Sequence, residues 1–168
     1  MKVIRVTISV YTQLTEYLVN NQNKFYRLAY SYVRNGDAAM DIVQNSICKA
    51  LENYHTIRNA NYISTWFYRV LVNESLSFIR KNEKEILYEP GTIADDVYIE
   101  QAYEPSLELY KEIDQLPEHL KTIIILHYYE DMTLKQIAQI TNTNLNTVKT
   151  RLYASLKRLK LSMKEVTK

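Results

Sequence analysis

The chain has 168 residues, 46% of them hydrophobic and 24% charged, with two glycines, three prolines and one cysteine. That balance supports a folded core and argues against wholesale disorder, while two glycines are too few for a many-turned sandwich or barrel, a dinucleotide fingerprint or a glycine-rich phosphate loop. A formal net charge of +2 hides a segregation of +5 over residues 1–82, −8 over 83–114 and +7 over 132–168. Two basic blocks separated by an acidic connector point to two modules that meet a polyanion while the connector does not. Pro90, Gly91, Pro105 and Pro117 crowd into the same stretch and mark a seam. Cys48 alone allows neither an internal disulfide nor a thiolate metal cluster, and a reducing compartment is expected.

The expected fold class is all-α, as two small helical domains joined by a flexible acidic linker. Residues 1–10 mix Lys2 and Arg5 with β-branched residues and make a poor signal peptide. The longest strongly apolar run, Ile123 to Leu126, is far short of the roughly 20 residues that span a bilayer, so a soluble cytoplasmic chain is expected. Residues 1–21 read as an N-terminal extension, with a weak helical pattern over 12–20. Phe25, Leu28, Ala29, Tyr32 and Val33 predict a helix over about 22–34 that stops at Gly36. Asp37 is placed to cap a second helix carrying Val43, Ile47, Ala50, Leu51 and Tyr54. A third helix is expected over 64–81, with Phe67, Val70, Leu71, Phe78 and Ile79 near one face. Periodicity then fades, and residues 83–105 form the linker.

The second block begins with a helix over about 106–115. Pro117 then starts a helix through Tyr129, with Leu120, Ile123, Ile124 and His127 inward. Thr133-Leu134-Lys135-Gln136 matches a capping box opening a short helix to about Ile140, broken by Thr141 to Thr143. Asn144 caps a last helix in which Val148, Leu152, Leu156 and Leu159 recur at helical spacing. Two short helices joined by a tight turn are a helix-turn-helix, although the usual turn glycine is missing. With Val148, Leu152 and Leu156 inward, Lys149, Thr150, Arg151, Tyr153, Lys157 and Arg158 lie on an outward arc suited to the major groove of DNA. A bidentate contact from Arg or Lys to guanine is worth about 1–3 kcal/mol of discrimination.

The first block offers another chemistry. Trp66, Phe67 and Tyr68 adjoin Arg69 and follow the uncharged polar stretch Asn59 to Thr65. Aromatics interleaved with cations suit unstacked bases at about 1–3 kcal/mol per base, and an Asn-rich loop can read an extruded base by its edge. The competing reading places Trp66 and Phe67 in the core. His55, His119 and His127 have no metal-ligand spacing, and no nucleophile sits in a catalytic pattern, so no enzyme activity, metal, cofactor or small-molecule substrate is expected. His119 and His127, two turns apart, read as structural, and Cys48 as packing.

In order and spacing these motifs resemble an extracytoplasmic function (ECF) sigma factor of the sigma-70 family, the compact promoter-specificity subunits of bacterial RNA polymerase. Asp41-Ile42-Val43-Gln44 is similar to the family's Asp-Leu-Val-Gln segment, and Ser64 to Arg69 to its Ser-Trp-Leu-Tyr-Arg-like stretch. Asn73 and Arg80 fit the pattern that follows. Leu116-Pro117, Tyr129 to Met132 and Thr147 to Leu152 resemble the start, approach and recognition helix of its second domain. Ser77 departs from the family's usual Asp, and Ala154 and Leu156 stand where many members are basic.

The resemblance implies sigma region 2 over 22–82, binding core polymerase and the −10 element, and region 4 over 106–168, binding the −35 element. Asp41, Gln44 and Lys49 would dock the polymerase clamp coiled coil. Arg58, Asn59, Asn61, Tyr62, Ser64, Trp66, Arg69, Arg80 and Lys81 would meet the −10 element. Asn146, Thr147, Lys149, Thr150, Arg151, Tyr153, Lys157 and Arg158 would meet the −35 element, with Arg151 and Arg158 on phosphate. Promoter DNA, core polymerase and an anti-sigma factor are the implied partners. The pattern looks closest to the Gram-positive cell-envelope stress subgroup, whose anti-sigma factors are membrane-anchored. The alternative is a stand-alone helix-turn-helix repressor or activator.

Overall fold

The computed structural model describes residues 2–86 and 107–166, with side chains described over 10–83 and 109–161. The chain divides into two compact units, Met1–Asp95 and Asp96–Lys168. Every described element is helical, in agreement with the all-α expectation. The linker expected over 83–105 lies outside the described residues beyond Ile86.

Unit 1 contains α1 (Lys2–Asn20), α2 (Gln22–Val33), α3 (Gly36–Asn53) and α4 (Ile63–Ile86), with short 3₁₀ turns at Tyr54–Thr56 and Ala60–Tyr62 between α3 and α4. The first helix is longer than the pattern over 12–20 predicts. Its N-terminal half is rich in β-branched residues, which lower helix propensity. Packing outweighs that cost, because Val10, Leu14 and Leu18 recur every four residues and are all buried. The Tyr17 ring adds contacts to Phe25 and Phe67 at centroid distances of 5.6 and 6.4 Å. Residues 10–18 therefore belong to the core of unit 1 and are not a loose extension.

The centre of that core is the Phe25–Phe67 pair, with centroids 4.5 Å apart, which ties α2 to α4. Leu14, Leu28 and Leu71 are fully buried in the same unit. At the α2–α3 corner, Arg34 takes the left-handed conformation (φ 51°) and its N–H bonds the Tyr30 carbonyl. The Asn35 side chain accepts from the Ala38 N–H at 2.9 Å, so Asn35, and not Asp37, caps α3. Gly36 is the first residue of α3 instead of the stop of α2, and a Cβ there would come within 3.0 Å of the Tyr26 hydroxyl. α4 runs past Asn82 to Ile86, because Glu83, Lys84 and Glu85 are good helix formers.

Unit 2 contains α5 (Leu107–Asp114), α6 (Glu118–Ile124) with a π-helical turn at Ile125–Tyr129, α7 (Leu134–Thr141) and α8 (Leu145–Val166). Pro117 is the N-cap of α6, one position before the first turn. Ile123, Ile125, Leu126, Ile137, Ile140 and Val148 form the fully buried centre. Lys121 is only 8% exposed, and its Nζ bonds Asp114 at 2.8 Å, joining α6 to the end of α5. A buried cation is tolerated only with such a partner.

Leu14→Ala is expected to destabilise unit 1 by about 2–5 kcal/mol through the cavity it leaves. Urea denaturation followed by the fluorescence of Trp66, the single tryptophan, reads this directly. An unchanged midpoint would show α1 to be outside the core.

Candidate nucleic-acid interfaces

In unit 2 the Thr133 hydroxyl accepts from the Gln136 N–H at 3.2 Å, while the Gln136 side chain accepts from the Thr133 N–H at 2.9 Å, completing the capping box of α7. The turn to α8 has no glycine because Asn142 takes the left-handed position (φ 52°), a conformation asparagine tolerates at a helix C-terminus. Asn144 Oδ1 accepts from the Thr147 N–H at 2.8 Å and caps α8. A three-residue turn, Asn142 to Asn144, thus fixes α8 against α7.

The rotational setting of α8 follows from its buried residues. Val148, Leu152, Ser155 and Leu159 face the core, at intervals of four, three and four. Leu156 departs from expectation: it is 37% exposed. Successive residues turn about 100° around a helix, so 156 lies one step off the buried stripe and Ser155 takes its place. The Ser155 hydroxyl donates to the Arg151 carbonyl at 2.7 Å and lies 3.3 Å from the Leu120 carbonyl, so its burial leaves no unmet polar group.

This setting divides the expected DNA-reading residues between two flanks. Thr147, Thr150, Arg151 and Arg158 line a groove beside α6, together with Asn144 and Asn146. Lys149 and Tyr153 fall on the opposite flank, Tyr153 being 70% exposed, and Lys157 lies between the flanks on the outward edge. All eight expected contacts on α8 are exposed or half-buried. His119 of α6, read from sequence as structural, also lines the groove. His127 has a different setting, its Nδ1 2.9 Å from the Met132 carbonyl. Among the described residues no cluster could hold a metal ion.

In unit 1, Phe67 is core while Trp66 is half-buried. Trp66, Arg69, Asn73, Ser77 and Arg80 follow intervals of three, four, four and three, which places them along one stripe of α4, and the last three are exposed. Exposed Lys81 lies beside that stripe. In the loop, Arg58, Asn61 and Tyr62 are exposed. Asn59 is exposed too, but its side-chain oxygen accepts from the Asn61 N–H at 2.9 Å and shapes the turn, and Ser64 Oγ accepts from the Tyr17 hydroxyl at 3.0 Å.

On α3, Asp41 and Gln44 are exposed on one face, which also carries Asp37, Met40 and Cys48, so Cys48 is exposed and is not the packing residue expected beside Val43, Ile47 and Leu51. Met40, 48% exposed, was missed in the sequence because it sits outside the apolar repeat that drew attention to Val43 and Ala50. Lys49 is turned aside from this face and forms an ion pair with Glu74 of α4.

Residues 18–85 match the family Sigma-70 region 2, and residues 106–159 match Sigma-70, region 4. The RNA polymerase sigma factor SigV of Bacillus subtilis (strain 168) is 43% identical over 146 residues, covering 87% of this chain and 88% of that one. The chain belongs to the sigma-70 family. The ECF RNA polymerase sigma factor SigW of the same organism is 30% identical over 161 residues, 86% of each chain, and the protein is an RNA polymerase sigma factor of the ECF group. A solved structure of the sigma factor RpoE in complex with the anti-sigma factor NepR from Bartonella quintana shares the fold, with a TM-score of 0.74 at 24% identity over 89% of this chain and 96% of that one. A stand-alone helix-turn-helix regulator is not favoured, since the relatives match across both units of this sigma factor.

Asn144→Ala removes the cap of α8 and is expected to lower stability by about 0.5–2 kcal/mol, measured by thermal unfolding of the full chain.

Proposed function

We propose that this sigma factor works in the cytoplasm as a non-enzymatic promoter-specificity subunit, with α8 reading the −35 element and the α4 stripe and its preceding loop meeting the opened −10 element. The observation that carries this reading is the outer surface of α8, where Lys149, Thr150, Tyr153 and Lys157 are exposed on a helix capped and oriented by a helix-turn-helix. Such a helix can enter the major groove, with its N-terminal residues at base edges. Arg151 and Arg158, seven residues apart on one flank, are about 10.5 Å apart along the axis and suit separate phosphates. In unit 1, Trp66 offers a ring for an unstacked base, and Arg69, Arg80 and Lys81 follow the strand.

The face of α3 bearing Asp41 and Gln44 docks core polymerase, with Met40 as an apolar anchor at its edge. Lys49 contributes less, because its ammonium is already engaged by Glu74. The protein binds an anti-sigma factor, as RpoE does in its complex with NepR, and that factor is membrane-anchored.

Run-off transcription with purified core polymerase tests the α8 assignment. Lys149→Ala should lose promoter selection while retaining polymerase binding, and unchanged selection would overturn the assignment. Co-purification with core tests α3: Asp41→Ala and Gln44→Ala should weaken retention, whereas Lys49→Ala should leave it nearly unchanged, because its ammonium is engaged by Glu74.

A further inference from the structure

We propose that His119 of α6 is a ligand for the DNA sugar–phosphate backbone, completing with Arg151 and Arg158 a seat for one strand beside the recognition helix. The proposal rests on the reading of α8 as the DNA-facing helix. His119 comes from outside the helix-turn-helix, yet it is exposed on the wall of the same groove that Arg151 and Arg158 line. The groove's polar lining is completed by Asn144, Asn146, Thr147 and Thr150, and none of the residues lining it is acidic. These are the side-chain types that contact phosphate in DNA complexes, cations together with Asn and Thr donors.

The geometry explains why a strand would lie there. A helix in the major groove is walled by a phosphate backbone on each side. One flank of α8 carries Lys149 and Tyr153; the other carries Thr147, Arg151, Ala154 and Arg158, and faces α6 across the groove. A strand following that second flank would pass between α8 and His119. An imidazole donates an N–H to a phosphate oxygen whether neutral or protonated, and adds a charge in the second case. His127 does not line this groove, and its Nδ1 lies 2.9 Å from the Met132 carbonyl.

The test is fluorescence anisotropy of the full chain on a random-sequence duplex, at salt concentrations from about 50 to 200 mM, with His119→Ala, His119→Glu, His119→Arg and Arg151→Ala. His119→Ala should weaken binding severalfold and His119→Glu more. His119→Arg should bind more tightly and steepen the log–log salt slope by up to about 0.9, an extra loss of about 3.5-fold across that salt range. An exposed side chain should leave the helical circular dichroism and melting unchanged in all three. If the three His119 variants bind with wild-type affinity and slope while Arg151→Ala weakens binding, the inference falls and the α8 reading stands. If Arg151→Ala is also without effect, both fall.

Discussion

The organisation of unit 2 depends on one constraint: α8 must bury one face in a small core and still keep its cations in solvent. A helix has a single rotational setting in which Val148, Leu152 and Leu159 can all be inside, and that setting also brings position 155 inward. A serine meets the demand, being small enough for the contact with α6 and able to bond the carbonyl one turn back. Once the setting is fixed, the two flanks follow without further choice. The arginines go to the α6 side, and Lys149 and Tyr153 go to the other.

Unit 1 repeats the logic with different chemistry. Phe67, Leu71 and Ser75 bury one face of α4 against α2 and α3, and Phe25 locks the first of them in place. The opposite stripe then carries Trp66, Arg69 and Arg80 over four turns. The short Asn59–Asn61 turn delivers Tyr62 and Arg58 to the N-terminal end of that stripe. The packing of α1 adds to this end, since Tyr17 reaches both the phenylalanine pair and Ser64. The first helix thus braces the loop as well as enlarging the core.

The sequence made the helices, the capping box and the Asn144 cap legible, because apolar periodicity and side-chain capping are local signals. What escaped depended on tertiary contact. α1 was under-read because its β-branched residues mask a buried Val10, Leu14 and Leu18 row. A leucine at a four-residue interval makes Leu156 look like the next step of the stripe, while the true step falls on Ser155. The missing turn glycine looked like a defect until Asn142 was found in the left-handed position. Lys49 was read as free because its partner, Glu74, is on another helix. Reading Gly36 as a helix stop makes Asp37 the next capping residue, whereas the chain enters α3 at Gly36 with Asn35 as its cap. The role of His119 was out of reach, since the groove exists only once α6 lies beside α8.

The family departures at Ala154 and Leu156 are explained differently by the two flanks. Ala154 lies on the groove flank between Arg151 and Arg158, and a basic side chain there would fill space that the small methyl leaves to an approaching backbone. With no basic side chain at 154, Arg151 and Arg158 are the cations of α8 on this flank. Leu156 is on the far flank, where an apolar side chain reads no phosphate but can contact a thymine methyl or a protein surface. Charge on this helix is therefore concentrated where a strand can be seated from two elements at once. The −8 stretch over residues 83–114 brings the whole chain near neutrality although both basic blocks are retained.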